Sequence, residues 1–303
     1  PTTTGNHELA IGQGSSYWLR GDASFNICTQ GNMCATCFFG CGAGLTGIDA
    51  GFDPDADQNL VAGGQSPGAN LDGTNACFNN LIGAGAGHCI TSGKGNVAIG
   101  KWAAYYTKTG EYNSYFNYAG SNREDGDYNI AIGLYALKGN ATAANNTGSG
   151  NIAIGCAAGC SLTSGACNIF IGHGYTAICA SSAEGNIIMG KESGCGLDTG
   201  DYNVILGNSA GCKISSGGNN IIMGSWAGAM GVMTGSYNVF FGRQAGGYNT
   251  SGHDHIAIGR YALDKSCAGS QSIAIGYKAL CTNQQNLGNV AVGPNAGKAG
   301  SGN

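Results

Sequence analysis

Three consecutive apolar residues recur along the chain, each triplet preceded by Asn or a small polar residue and closed by Gly. Starts fall at Asn96, Asn129, Asn151, Asn168, Asn186, Asn203, Asn220, Asn238, His255, Ser272 and Asn289. Most are 17 residues apart, a few steps are 16 or 18, and the step from Asn129 to Asn151 is 22. A degenerate copy starts at Asn113, and weaker ones at Asn79, Asn59, Thr36 and Glu8. A fixed period over most of a chain predicts stacked repeats, and every other motif has to be read against it. Triplets of β-branched residues cut off by Gly predict short strands. The Thr-, Ser- and Gly-rich segments between them predict turns. Helix is excluded, since no apolar stretch of 3.6-residue period survives the glycines.

The expected fold is therefore all-β: a parallel β-roll or β-solenoid of about 17-residue coils, with two short strands per coil and about sixteen coils. At about 4.8 Å per coil this gives a rod near 75–80 Å long. The Asn column is expected to form a hydrogen-bonded ladder along the stack. Two domains are expected, an irregular portion over 1–78 with degenerate repeats and a regular roll over 79–303, with an insertion near 138–150.

The triplets are apolar on both faces. Their first and third residues share one face, and the second points the other way. Placing the first and third inside leaves a long outer stripe built on Ile188, Ile205, Ile222 and Phe240. That stripe would be the core between identical chains, because an apolar file of this length demands cover in water. The opposite assignment also leaves one apolar file outside, so an oligomer follows from either.

Composition narrows the partners. A net charge of −4 gives no basic footprint for nucleic acid. No apolar run is long enough to span a membrane, and no signal-peptide pattern is read. The 57 glycines lack the three-residue period of collagen.

The repeats at Asn96–Ala103, Asn151–Ala158 and Ser272–Ala279 resemble the head repeats of trimeric autotransporter adhesins. The longer form at Thr199–Gly211 and Thr234–Gly246 is similar to repeats in bacteriophage tail fibres. The resemblance covers Asn79–Asn303. It implies a left-handed roll wound as a homotrimer, on a virion surface as a tail fibre or on a cell surface as an adhesin. The partners it implies are other copies of the chain, host glycans or receptors, and other fibre or tail proteins. A self-assembling extracellular filament is the alternative.

Candidate chemistry is sparse. Trp102, Tyr105, Tyr106, Tyr112, Tyr115 and Tyr118 crowd into one coil and its degenerate neighbour, as exposed aromatics that contact sugar rings would. Cys195 and Cys212 occupy equal positions in adjacent coils, within disulfide reach. A column of small buried thiols with Cys160 and Cys281 is the competing account. Asp53, Asp55 and Asp57 alternate as weak candidates for a hard cation. Cys28, Cys34, Cys37 and Cys41 contain a C-x-x-C spacing, which packing explains as readily as a metal. His255 of the His253–His255 stretch sits in the Asn slot. No nucleophile, base and stabiliser converge, so neither an enzyme nor a cofactor is expected. A carbohydrate-active β-solenoid enzyme is the lesser alternative, and ice binding lacks a regular Thr array.

Overall fold

The computed structural model describes residues 2–4, 8–13, 16–21, 27–28, 55–73, 75–177, 179–265, 269–282 and 287–297. The chain divides into two units, Pro1–Ile48 and Asp49–Asn303.

In the first unit, β1 (Thr2–Thr4), β2 (Glu8–Gln13), β3 (Ser16–Gly21) and β4 (Ile27–Cys28) form an antiparallel sheet in chain order. Only two residues separate β2 from β3, a span that closes a hairpin but cannot cross over to a parallel neighbour. The stretch starting at Glu8 is thus a hairpin strand, not a coil of the repeat. The candidate copy at Thr36 lies outside the described residues.

The second unit is a β-solenoid of about thirteen turns. Its strands are β5 (Leu60–Ala62), β6 (Asn80–Ile82), β7 (Val97–Ile99), β8 (Ser114–Phe116), β9 (Ile130–Ile132), β10 (Ile152–Ile154), β11 (Ile169–Ile171), β12 (Ile187–Met189), β13 (Val204–Leu206), β14 (Ile221–Met223), β15 (Val239–Phe241), β16 (Ile256–Ile258), β17 (Ile273–Ile275) and β18 (Val290–Val292). All fourteen lie in one parallel sheet in sequence order. The coil at Asn59 already belongs to it, so regular stacking begins before the expected boundary at 78/79. Register is strict: Ile188 pairs with Ile205, Ile205 with Ile222 and Ile222 with Phe240.

Each coil carries one strand rather than the expected two. The other side of the coil is a chain of turns, with isolated bridges at Ile214↔Met233 and Ser270↔Leu287. The reason is curvature. Besides the corner Gly, three positions per coil adopt left-handed backbone, as at Tyr202 (φ 57°), Ser209 (φ 50°) and Gly211 (φ 54°) in one coil. So many reversals in 17 residues leave no room for a second extended run. The corner itself requires Gly: at Gly224 (φ 130°) an added Cβ would stand 2.7 Å from the backbone of Gly242 in the next coil.

The interior file is the second residue of each triplet. Leu81, Ala98, Tyr115, Phe170, Ile188, Ile205, Ile222 and Phe240 are all buried within the single chain. This corrects the outward placement of Ile188, Ile205, Ile222 and Phe240: they are the chain's own core, not a seam between chains. Ala210, Ala227 and Ala245, with Leu197, Ile214 and Met233, complete that core.

Volume inside a coil is conserved by a trade between two positions. Where the second triplet residue is large, Gly follows six residues later: Ile188 with Gly194, Ile205 with Gly211, Ile222 with Gly228, Phe240 with Gly246. In three of the six coils where it is Ala, Leu takes that place: Ala131 with Leu137, Ala257 with Leu263, Ala274 with Leu280. Ala153 and Ala291 are followed by Gly159 and Gly297, which face Phe170 and Leu280 of adjacent coils, and Ala98 by Ala104. A Cβ at Gly246 would stand 2.5 Å from the Phe240 ring. Such swaps keep packing density constant in a cross-section that cannot widen.

The Asn ladder is present and continuous. The Asn203 side-chain Oδ1 accepts from the Asn220 backbone N–H at 3.0 Å and from Asn220 Nδ2 at 3.0 Å, while Asn203 Nδ2 donates to the Gly217 carbonyl at 2.9 Å. The same three bonds recur from Asn79 through Asn220. All of these amides are buried, so each bond satisfies a group that would otherwise be orphaned. At the start of the ladder, Asp55 takes the role of a preceding Asn, accepting from the Asn59 N–H at 2.7 Å and from Asn59 Nδ2 at 3.1 Å.

The inserted residues bulge out before Asn151 as a short 3-10 turn, Ala143–Asn145. Asn146 ties this loop together by donating to the Asn122, Asn140 and Thr142 carbonyls. Strand register and the ladder run unbroken across the insertion, and Arg123 of the coil before reaches over to the coils that follow it. Its Nη1 donates to the Leu162 carbonyl at 3.2 Å, and its Nη2 to that of Gly148. Arg123 is the largest fully buried side chain among the described residues.

Candidate functional site

Two surface features rise above the repeat. The first is an aromatic cleft beside the insertion. Trp102, Tyr118 and Tyr135 stand at left-handed positions (φ 59°, 67° and 62°), just past the corner in three successive coils. Stacking of coils brings such side chains to about 5 Å spacing. Trp102 meets Tyr118 at 5.4 Å and Tyr105 at 5.7 Å between ring centroids, and Tyr105 meets Tyr106 edge-on at 4.8 Å. His88 stacks flat on Tyr105 at 4.9 Å, and Tyr118 meets Tyr135 edge-on at 5.1 Å. Lys138 lies 4.9 Å over Tyr135, and Lys101 lies 5.0 Å over Trp102. Trp102, Tyr105, Tyr106, Tyr118, Ser121, Asn122 and Lys138 line a cavity of about 290 Å³. Burial pushes the Tyr118 phenol above its ordinary range, so it is a neutral hydroxyl at physiological pH.

Four of the six aromatic candidates therefore converge, and two do not. Tyr112 stacks on Tyr128 at 5.4 Å, at the different corner that precedes the Asn ladder. Tyr115 is buried inside its coil in the triplet's middle slot, against Arg123. Its phenol is pushed up by burial, an effect that Arg123 partly offsets. His88, Tyr135 and Lys138 escaped the sequence reading. Their signal was positional, since each lies in a coil adjoining the aromatic one and on the same edge.

The second feature is the outer face of the fourteen-stranded sheet. The first and third triplet residues form two parallel files of Ile, Val, Leu, Met and Phe, broken only by Ala62, Asn80 and Ser114 near the N-terminal end of the stack. They are half-buried to exposed along the whole stack, with Ile132 at 42% and Phe241 at 52%. This is the uncovered apolar surface that either assignment of the triplet demanded, and it sits opposite the file first chosen for it.

The chain matches no family model, no curated protein and no solved structure.

The remaining candidates resolve into structural roles. Cys195 and Cys212 are free thiols, not a disulfide. Cys195 Sγ donates to the Cys212 carbonyl at 3.1 Å, and Cys212 Sγ to that of Ala229 at 3.4 Å. The two neighbouring thiols titrate together, which draws Cys212 down to about 7 and pushes Cys195 well above its ordinary value. Cys160 and Cys281 fall at equivalent positions of their coils, half-buried and buried. Asp55 is committed to the ladder, Asp57 is half-buried beside it, and Asp53 lies outside the described residues, as do Cys34, Cys37 and Cys41. Among the described residues no group of three or more His, Cys, Asp or Glu could hold a metal ion. His255 fills the Asn slot as a neutral ring: its Nε2 donates to the Gly269 carbonyl at 2.7 Å, and its Nδ1 accepts from the Ser272 N–H at 3.2 Å. No helix among the described residues is long and apolar enough to cross a membrane.

Proposed function

We propose that this protein is a structural fibre component. In this reading its β-solenoid is one strand of a left-handed homotrimeric rod, displayed on a virion tail or a cell surface to give reach and attachment. The observation that carries the proposal is the outer sheet face. Its two files run without a charge along all fourteen strands, apolar throughout except at Asn80 and Ser114. A strip about 65 Å long and about 10 Å wide presents on the order of 600 Å². That approaches the roughly 800 Å² per partner of a stable interface. Only a partner with the same repeat can match such a face from end to end, and another copy of the chain has it by construction. The stiffness a fibre needs follows from the uninterrupted ladder and the one-dimensional stack. The aromatic cleft at Trp102 would supply contact with surface glycans or a receptor.

The test is the assembly state of a variant carrying Ile187→Asp, Val204→Asp and Ile221→Asp, all on the outer face. Light scattering should report a monomer whose circular dichroism still matches the wild type. A wild-type chain that is itself monomeric, or a variant that stays oligomeric, overturns the proposal. Discrete rods in electron micrographs support a fibre part, whereas open-ended polymers favour a filament subunit.

A further inference from the structure

The coils that follow His255 and Ser272 carry a second cleft, of about 450 Å³. It is lined by Arg260, Tyr261, Asp264, Lys265, Tyr277 and Lys278, with Cys281 and Thr282. These are the fifth, sixth, ninth and tenth residues after the ladder position in two adjacent coils. Trp102, Tyr105, Tyr106 and Tyr118 hold the same slots in their coils, so both clefts lie on one edge of the coil. Nine coil steps separate them, about 43 Å at strand spacing.

The chemistry of the second cleft is cationic. The Arg260 guanidinium lies 4.7 Å over the Tyr277 ring and 5.6 Å over Tyr261. Lys278 Nζ lies 5.1 Å and 5.8 Å from the same two centroids. A ring face attracts a cation but carries no net charge to neutralise it. Neither Arg260 nor Lys278 enters an ion pair among the described residues, unlike Lys108 with Glu124 and Lys191 with Glu192. Two close cations raise each other's energy, and the chain as a whole is acidic at −4. A concentrated positive spot on such a chain is therefore a local device and not a by-product of composition.

The rest of the lining suits an anion that also carries hydroxyls. The hydrogen bond from Lys278, with the charge of Arg260, pulls the Tyr277 phenol below its ordinary range and makes it a stronger donor. Asp264 is the one carboxylate among the lining residues. Its Oδ1 is buried without a hydrogen-bond partner, as is Thr282 Oγ1. Burial pushes the Asp264 carboxyl above its ordinary value, and its unpartnered Oδ1 is free to accept from a ligand hydroxyl.

We propose that this cleft binds acidic sugar residues of a polysaccharide. Arg260 and Lys278 clamp the anionic group, Tyr261 and Tyr277 pack against the sugar ring, and Asp264 meets a hydroxyl. A guanidinium beside an ammonium accepts a carboxylate or a sulfate, and the two sources are separated by experiment. The inference deepens the reading of the rod as an attachment fibre, although the chemistry of the cleft does not depend on how many chains form the rod.

The experiment is calorimetric titration of the full-length assembled protein with three probes of similar length. Oligogalacturonate carries carboxylates, a heparin-derived hexasaccharide adds sulfates, and cellohexaose is neutral. At least one acidic probe should bind, with affinity that weakens as salt rises, and cellohexaose should not. The order of the two acidic probes identifies the anion. The double variant Arg260→Gln, Lys278→Gln should lose at least tenfold in affinity. Tyr277→Ala should lose severalfold. Lys191→Gln, a control on a distant coil, should bind as the wild type does. The proposal is overturned if neither acidic probe binds, if cellohexaose binds equally well, or if the double variant binds undiminished. Light scattering on the same samples keeps the two readings apart: a monomer that still binds the acidic probe refutes the trimer and leaves the site standing.

Discussion

Two stretches of one solenoid solve the same packing problem differently. From Asn186 to Asn238 the interior is uniform, with a branched or aromatic residue in the middle slot, Gly six residues on, and Leu197, Ile214 or Met233 behind it. From Asn113 to Asn151 the middle slot first holds Tyr115, and the position behind it holds Arg123, a buried cation that hydrogen-bonds backbone carbonyls in place of a carboxylate. The uniform stretch is held by shape. The irregular one is held by hydrogen bonds from a guanidinium to the carbonyls of Leu162 and Gly148, the latter shared with Asn129 Nδ2. Burial lowers the pKa of Arg123, the signature of a charge in an apolar setting, and its Nε has no partner. A coil can thus absorb five extra residues at a corner, provided a long polar side chain fills the gap they open.

The comparison breaks most sharply in the uniform stretch. Ile205→Asp should prevent folding, because an unpaired carboxylate there costs several kcal/mol and neither neighbouring coil can open to water. Circular dichroism should show loss of the sheet signal. A folded but monomeric Ile205→Asp protein would restore the seam to the second-position file.

The ladder is the next point to strike. Asn203→Ala strips acceptors from the Asn220 N–H and Nδ2 and a donor from the Gly217 carbonyl, all buried. The expected loss is about 2–4 kcal/mol, read as a drop in denaturation midpoint.

Arg123 sharpens the contrast. Arg123→Ala leaves a hole and strips the bond from the Leu162 carbonyl, while Gly148 keeps its bond from Asn129 Nδ2, and should cost about 3 kcal/mol. Arg123→Met fills the hole without a charge and should lie within about 1 kcal/mol of wild type. If the two variants fall together, the role of Arg123 is electrostatic and not space-filling.

The smallest expected effect is a pH dependence at His255. Burial lowers its pKa, and its neutral ring accepts the Ser272 N–H. The unfolded chain takes up a proton near pH 6.5 that the folded chain refuses. Stability should therefore fall as pH drops through that value toward the lower folded pKa, and be full above it. The titratable neighbours His253 and Asp254 act on the ring in opposite directions and are exposed. His255→Asn should flatten the slope between pH 7 and 5.5 in a melting series. An unchanged slope assigns it to other groups.

Much of the fold is written in the sequence. The Asn column, the triplet strands, the corner Gly and the insertion near 138–150 are visible because one physical requirement repeats in every coil. The face that points inward was harder to read, because Ile187 and Ile188 carry equal apolar weight whichever way they point. The trade of Ile222 with Gly228 against Ala274 with Leu280 points to a shared interior, but Ala98 with Ala104 and Ala153 with Gly159 do not follow it, so burial in the folded stack decides the face. The single strand per coil was hidden too: residues such as Trp226 (φ 62°) and Tyr237 (φ 61°) accept left-handed backbone that their identities do not announce. The clefts were half legible. Crowded aromatics mark the first, but Arg260 and Lys278 are 18 residues apart in sequence and become neighbours only through stacking.

The Asn column also sets how such a molecule can change length. Each asparagine asks its predecessor for one amide oxygen and nothing else, whether the loop between them has 16 residues or 22. A gene could thus gain or lose whole windings by recombination between any two of these codons without disturbing the phase of the remainder. Length becomes an inherited dial, adjustable in steps of one winding, while the surface chemistry at either cleft travels along untouched.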